Sequence, residues 1–303
     1  MAGKHSKSFL ESLRENHTKS TRTPKAKKYK MAWPFKVLIA LFLVVLVASS
    51  SLIAAFFVEG KMNQNVLDES ARLFKFNGSE DALETLANQN NDIKGWLKIS
   101  GTDVNNAVCQ SDDNIYYTNH NQNNQKSRYG ALFLSHNDKF NRKDDQNIVI
   151  YGNNMRDGSM FGSLKKYRNI NFYKKNPIIE LYYGKESENY IIFSVMLISN
   201  VKDDKGVFSP SKSFFANEEH FKKWYNEACH RSLITANIEA DYKDDFLTLV
   251  TTADDFEGAR FIVMAKKIDN DKVDEIDTSS AVVNSDIKYP KIWYDTKGLK
   301  YPY

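Results

Sequence analysis

The chain has 303 residues, of which 42% are hydrophobic, 26% charged and 13% aromatic, with 42 Lys and Arg against 38 Asp and Glu for a formal net charge of +4. That length holds one or two domains with appendages, and the composition excludes a wholly disordered chain and, with 13 Gly and 6 Pro, a collagen-like one. Two cysteines exclude a disulfide-stapled scaffold and a zinc site built mainly from thiolates.

The charge is unevenly placed. Residues 1–36 carry ten basic and two acidic side chains, a local +8, which leaves −4 on the remaining 267 residues. Such a basic head suits a nucleic-acid arm or a membrane surface, and the adjoining segment decides between them. Residues 37–58, VLIALFLVVLVASSSLIAAFFV, contain no charge. At about 1.5 Å of rise per residue they cover a hydrocarbon core of roughly 30 Å. A cleaved signal peptide has an apolar region of only about 7 to 15 residues. Ser49, Ser50 and Ser51 imitate its cleavage site, but the apolar run continues past them. Basic residues before the span and Glu59 after it predict a cytoplasmic N-terminus by the positive-inside rule, with Trp33 at the interface. The expected localisation is a single-pass cell-membrane protein with its C-terminal part outside, and no nucleic-acid partner.

Beyond the span, residues 59–89 read as a polar stalk with short helices. Ser79 is a candidate N-cap, with Glu80 and Asp81 favourable beside the positive end of the helix dipole and Ala82, Leu83, Leu86 and Ala87 as an apolar stripe. From residue 90 the signals become short alternating or β-rich runs at 96–99, 130–134, 147–151, 178–183, 190–201, 246–251 and 260–266. Many short strands without alternating helices predict a barrel or sandwich. One helix interrupts them: after Asn217, a plausible N-cap, Phe221, Trp224, Tyr225 and Ala228 recur at helical spacing and predict an aromatic face laid on the strands. Residues 268–303 are first acidic, then aromatic, and form either a tail packed along the β-domain or a flexible appendage.

Four segments carry a family resemblance. Asp92, Gly95, Trp96, Ile99, Gly101 and Thr102 come first, then Asp113, Asn114, Tyr116 and Tyr117, then YGNNMRDGSMFGSL over 151–164, and last TLVTTADDFEGARFIVMAKK over 248–267. In order and spacing this set resembles the class B sortases over roughly residues 80–267. The resemblance implies a mainly-β fold, a closed eight-stranded sortase barrel over 90–267 with N-terminal helices and one inserted helix. It also implies a Gram-positive surface enzyme that cuts a protein at a sorting motif and joins it to an amino group of the cell wall or of a pilin.

In that family a cysteine attacks the peptide carbonyl, a histidine handles the protons and an arginine stabilises the oxyanion. The corresponding positions here are Thr252 for the cysteine, Asn153 for the histidine and Arg260 for the arginine, so only the arginine is kept. A threonine hydroxyl is a poor nucleophile without a base, and an amide cannot carry protons in this range. Thr251, Tyr117 and Asn119 are the candidates for lining a substrate groove, the last two being equally readable as surface residues. Among stand-ins, His136 lies just past a predicted strand end, and Cys229 and His230 are helix neighbours pointing about 100° apart. A Cys109–Cys229 disulfide outside the cell is an alternative to two small buried thiols. The histidines and cysteines show no metal-ligand spacing, the acidic pairs, Asp254-Asp255 among them, read as solvated loops, and no cofactor is expected.

The sequence thus supports three readings. The first is a sortase-shaped accessory without transpeptidase activity that binds sorting-motif peptides, surface proteins, pilins or a catalytically intact sortase. The second is an active sortase with an unconventional nucleophile. The third is a structural surface protein with no ligand.

Overall fold

A computed structural model of the chain describes residues 31–140, 146–201, 208–212 and 214–303, with the backbone alone for 76–79. The chain divides into two units, Met1–Phe56 and Phe57–Tyr303. In the first, the described helical residues are exposed, apolar and part of a helix long and apolar enough to cross a membrane.

That helix, α1 (Trp33–Gln89), is continuous, so the helix expected from Ser79 is its last turns and not a separate element; the Ser79 side chain lies outside the described residues. No proline comes after Pro34 in this run, and Gly60 and Gly78 each cost only about 1 kcal/mol against alanine, which weakens a helix without ending it. Residues within 59–89 pack on the barrel. Leu67 joins the barrel core, Leu83 and Leu86 pack with Trp96 and Phe133, and Phe74 stacks on Trp96 at 4.6 Å.

The second unit is a closed eight-stranded barrel. Its strands are β1 (Ile93–Ile99), β2 (Asn105–Cys109), β3 (Leu132–Leu134), β4 (Asn147–Tyr151), β5 (Ile178–Tyr183), β6 (Glu186–Ser199), β8 (Phe246–Thr252) and β9 (Ala259–Ile268), with β7 (Ile234–Thr235) and β10 (Val282–Val283) as a separate pair. The barrel order is β1-β2-β3-β4-β8-β9-β6-β5, with β5 returning to β1. Two seams are parallel, β2 with β3 and β4 with β8. Strand alternation sorts the side chains. On β8, Leu247 and Leu249 point into the barrel, while Phe246 and Val250 point out beneath helix α3 (Glu218–Arg231). Asn217 caps α3 by accepting from His220 N at 2.9 Å, and Phe221, Trp224 and Ala228 are buried, as the spacing predicts. A short helix, α2 (Ile170–Lys175), comes directly after the 3-10 helix Gly162–Arg168.

The extension is a packed tail. Its strand β10 pairs with β7, Ala281 is fully buried in the barrel core, and Tyr289, Ile292 and Trp293 pack against that core from and just before helix α4 (Lys291–Lys297).

Candidate functional site

The three family positions gather at one end of the barrel, where β8 runs out. Antiparallel pairing sets Thr252 opposite Arg260 and Thr251 opposite Phe261. Side chains opposed in this way share a face, so Thr252 and Arg260 lie outward and Thr251 and Phe261 inward. The loop between them closes tightly, with Ala253 N donating to Ala259 O at 3.0 Å. Gly258 makes the closure possible: its φ is +73°, and a Cβ there would meet Asn200 Oδ1 at 2.6 Å.

Arg260 is half-buried and held. One guanidinium nitrogen donates to Ala259 O at 3.1 Å. With its amide turned to satisfy both ends, Asn200 accepts from the other at 2.8 Å and donates to Gly258 O at 2.8 Å. Thr252 is exposed, and its hydroxyl has no hydrogen-bond partner among the described residues. No acidic or basic side chain among them hydrogen-bonds it.

Asn153 is close in the fold but engaged elsewhere. Strand β4 ends beside β8, with Gly152 N donating to Val250 O at 3.2 Å. The Asn153 amide nitrogen then turns onto three loop carbonyls, Thr118 O at 2.8 Å, Arg128 O at 3.2 Å and Tyr129 O at 3.2 Å. It braces two loops. Gly130 is held at φ +63° against the same brace, where a Cβ would lie 2.4 Å from Tyr117 O and 2.9 Å from Asn153 Nδ2.

Of the expected groove residues, only Thr251 faces a cavity. That cavity, about 350 Å³, is lined by Thr251, Thr252 and Asp254 from β8 and the loop after it, by Lys165 and Arg168 from the 3-10 helix, and by Phe261 of β9. Thr251 Oγ1 itself is buried without a hydrogen-bond partner, a state that costs about 1–3 kcal/mol. Tyr117 corrects the sequence reading. It is fully buried under the end of α1, accepting from Asn90 at 2.9 Å and donating to Asp92 at 2.8 Å, so it lines no groove. Asn119 is exposed beside the braced loop and does not border the cavity.

His136 is at the other end of the barrel. Ser135 bonds Val149, which pairs with Thr248, and Thr252 lies four residues beyond, about 13 Å at the rise of a strand. The two cysteines are free, so the disulfide alternative is overturned. Cys109 is enclosed in the core, where burial pushes its thiol far up, and the Cys229 thiol is raised for the same reason. Neither is activated.

Sequence reasoning missed the cavity's other wall. Asp255, read as a solvated loop residue, takes a bidentate pair from Arg168 at 3.0 and 2.6 Å, and the guanidinium lies 5.1 Å from the centre of the Phe261 ring. The usable signal was the position of Arg168 four residues past Leu164 of the FGSL segment, at the end of the 3-10 helix.

No family model matches the chain. It is 31% identical over 220 residues to sortase B of Listeria monocytogenes serovar 1/2a (strain ATCC BAA-679 / EGD-e), covering 69% of this chain and 87% of that protein. It is 30% identical over 190 residues to sortase B of Staphylococcus aureus (strain NCTC 8325 / PS 47), covering 61% and 74%. Among solved structures, the C232S mutant of Clostridium perfringens sortase B superposes with a TM-score of 0.62 at 34% identity, over 68% of this chain and 98% of that one. A Staphylococcus aureus sortase B-substrate complex gives 0.63 at 25% identity, over 70% and 99%. With the eight-stranded barrel, its ordered motifs and these likenesses in agreement, the chain belongs to the sortase B family.

Proposed function

We propose that this is a membrane-anchored, extracellular sortase B-like protein that binds sorting-motif peptides, or the surface proteins or pilins carrying them, without cutting them. One observation carries the reading: the hydroxyl at the nucleophile position has no hydrogen-bonded base among the described residues, and the side chain at the histidine position is an amide held on three carbonyls. Losing a nucleophile or its base costs about 10⁶-fold in a well-studied hydrolase, and the second loss adds little. Arg260 supports binding. Without an oxyanion to stabilise, a held guanidinium still presents N–H donors to a peptide carbonyl or carboxylate. The substrate complex solved for the Staphylococcus aureus sortase B supports a peptide as the ligand class. The apolar 37–58 run behind a basic head supports anchoring with the N-terminus inside.

The test incubates the full-length protein in lipid nanodiscs with fluorogenic sorting-motif peptides and triglycine as the amine. The expected result is saturable peptide binding with no turnover. Turnover above a Thr252→Ala control, or an acyl adduct on Thr252 by mass spectrometry, overturns inactivity. Absence of binding overturns the ligand.

A further inference from the structure

Strand β1 lies halfway round the barrel from β8, and the wall it belongs to carries a second cavity, of about 730 Å³, lined by residues of α1, β1, β2 and β5. Its apolar part is made of rings. Phe74 stacks on Trp96 at 4.6 Å and meets Tyr182 edge to face at 5.0 Å, so packing fixes both aromatic lining residues.

The polar part consists mostly of donors. Asp68, Arg72 and Lys75 recur at i, i+4 and i+7, which sets them along one face of α1. Arg72 and Lys75 are exposed and make no ion pair among the described residues. Asn105 spends its side-chain oxygen on Trp96 Nε1 at 2.9 Å, which leaves its amide N–H groups without an acceptor among the described residues. Lys98 is already neutralised by Glu180 at 2.8 Å, a carboxylate that also accepts from the Tyr182 hydroxyl. Asp68, the one carboxylate among the described lining residues, accepts from Gln64 at 2.9 Å.

We propose that this cavity is a binding site for an organic phosphate ester, with Arg72, Lys75 and Asn105 on the phosphate and Phe74 and Tyr182 against the apolar body. Two unpaired cations and a free amide donor, facing a single carboxylate, select an anion. These donors stand on two elements, α1 and β2, so a tetrahedral group with several oxygens reaches both, where a planar carboxylate presents only its two. The volume is that of a small-molecule pocket, far more than a bare anion fills, which calls for a body beside the rings. The site is separate from Thr252 and stands independently of the peptide-binding function.

The experiment is isothermal titration of the full-length protein, in phosphatidylcholine nanodiscs, with phenyl phosphate, and with phenol, benzoate and inorganic phosphate alongside. Phenyl phosphate is expected to bind saturably and about ten-fold tighter than each of the other three, the scale of one charge-assisted hydrogen bond. Arg72→Gln with Lys75→Gln alters two exposed side chains and is expected to weaken it about ten-fold or more. Asn105→Asp keeps the acceptor for Trp96 but sets a carboxylate against the anion, and is expected to weaken it as well. No saturable binding of phenyl phosphate, or affinity that the double variant retains, overturns the site. Benzoate binding as tightly overturns phosphate as the recognised group, and inorganic phosphate binding as tightly overturns the part given to the rings. Water-soluble dihexanoyl phosphatidic acid separates the two sources of such an ester: tighter binding than phenyl phosphate marks a lipid headgroup, weaker binding a soluble ester.

Discussion

At the scale of single residues, the amide of Asn153 decides what the site can become. An asparagine has two N–H donors for the three carbonyls it braces, whereas a neutral imidazole has one. Asn153→Ala is therefore expected to destabilise the protein by about 1–3 kcal/mol, since carbonyls of Thr118 and Tyr129 lose their donor, and a thermal melt of the full chain checks it. For the same reason, Thr252→Cys alone is expected to gain a thiol that iodoacetamide labels but no transpeptidation. Adding Asn153→His tests whether an imidazole released from the brace reaches the new sulfur, with fluorogenic peptide turnover as the readout. The backbone is equally demanding at Gly130. Gly130→Ala puts a methyl 2.4 Å from a carbonyl oxygen at positive φ, and is expected to cost more than about 1 kcal/mol. The sequence offered Thr252, Asn153 and Arg260 as family positions only through resemblance. The direction of Asn153 was not legible there, because carbonyls 24 to 35 residues away set it. Tyr117 was misread for a related cause: its partners are Asn90 and Asp92, which only the fold brings to it.

At the scale of elements, β-rich apolar runs made 147–151 and 178–183 readable to the residue, and the Asn217 cap with its aromatic stripe marked α3. Strand β2 is not among the runs read from the sequence, since NNAVC has too few alternating positions, and the two-residue strands β7 and β10 carry no periodic signal at all. The extension's placement was open in sequence because its anchors are charges and rings spread over several elements. One of these is titratable. Burial works to raise the Glu227 carboxyl of α3, but Lys288 of the extension and Arg231 outweigh it and hold it below the usual range. Lys288 Nζ lies 2.9 Å and Arg231 Nε 2.9 Å from Glu227 Oε1. A depressed carboxyl contributes stability that is complete above its unfolded pKa, about 4.3, and fades as the pH falls through the lower folded value. Acidification from pH 6 to pH 3 is thus expected to speed proteolysis within 284–303 in wild type. Glu227→Gln is expected to flatten that dependence. Sensitivity unchanged between the two proteins would show that the junction does not depend on this charge.

At the scale of the whole molecule, the sortase B structures cover 61–71% of this chain while being covered nearly completely themselves, so about a third of it is additional to the solved domains. The basic head and apolar run account for the N-terminal share, and their expected topology is directly checkable. Protease added to intact protoplasts should remove a C-terminal tag and spare an N-terminal one. The reverse pattern would refute the orientation. Strand density left a barrel and a sandwich open, and the family resemblance implied the closed eight-stranded barrel that forms; its two parallel seams were not read, because neither joins strands by a hairpin.

The β4–β8 seam has a consequence for how the chain is made. Strand β8 begins at Phe246, nearly a hundred residues after β4 ends at Tyr151, so β4 waits with one side unpaired while the intervening chain is synthesised. Four of its five residues are buried in the finished protein, which makes that waiting edge sticky. Barrel closure is then a late, non-local step with a correspondingly slow rate. A nascent molecule stalled before residue 246 presents an adhesive ribbon to its neighbours, and truncations that remove β8 and β9 should aggregate instead of yielding a smaller soluble domain.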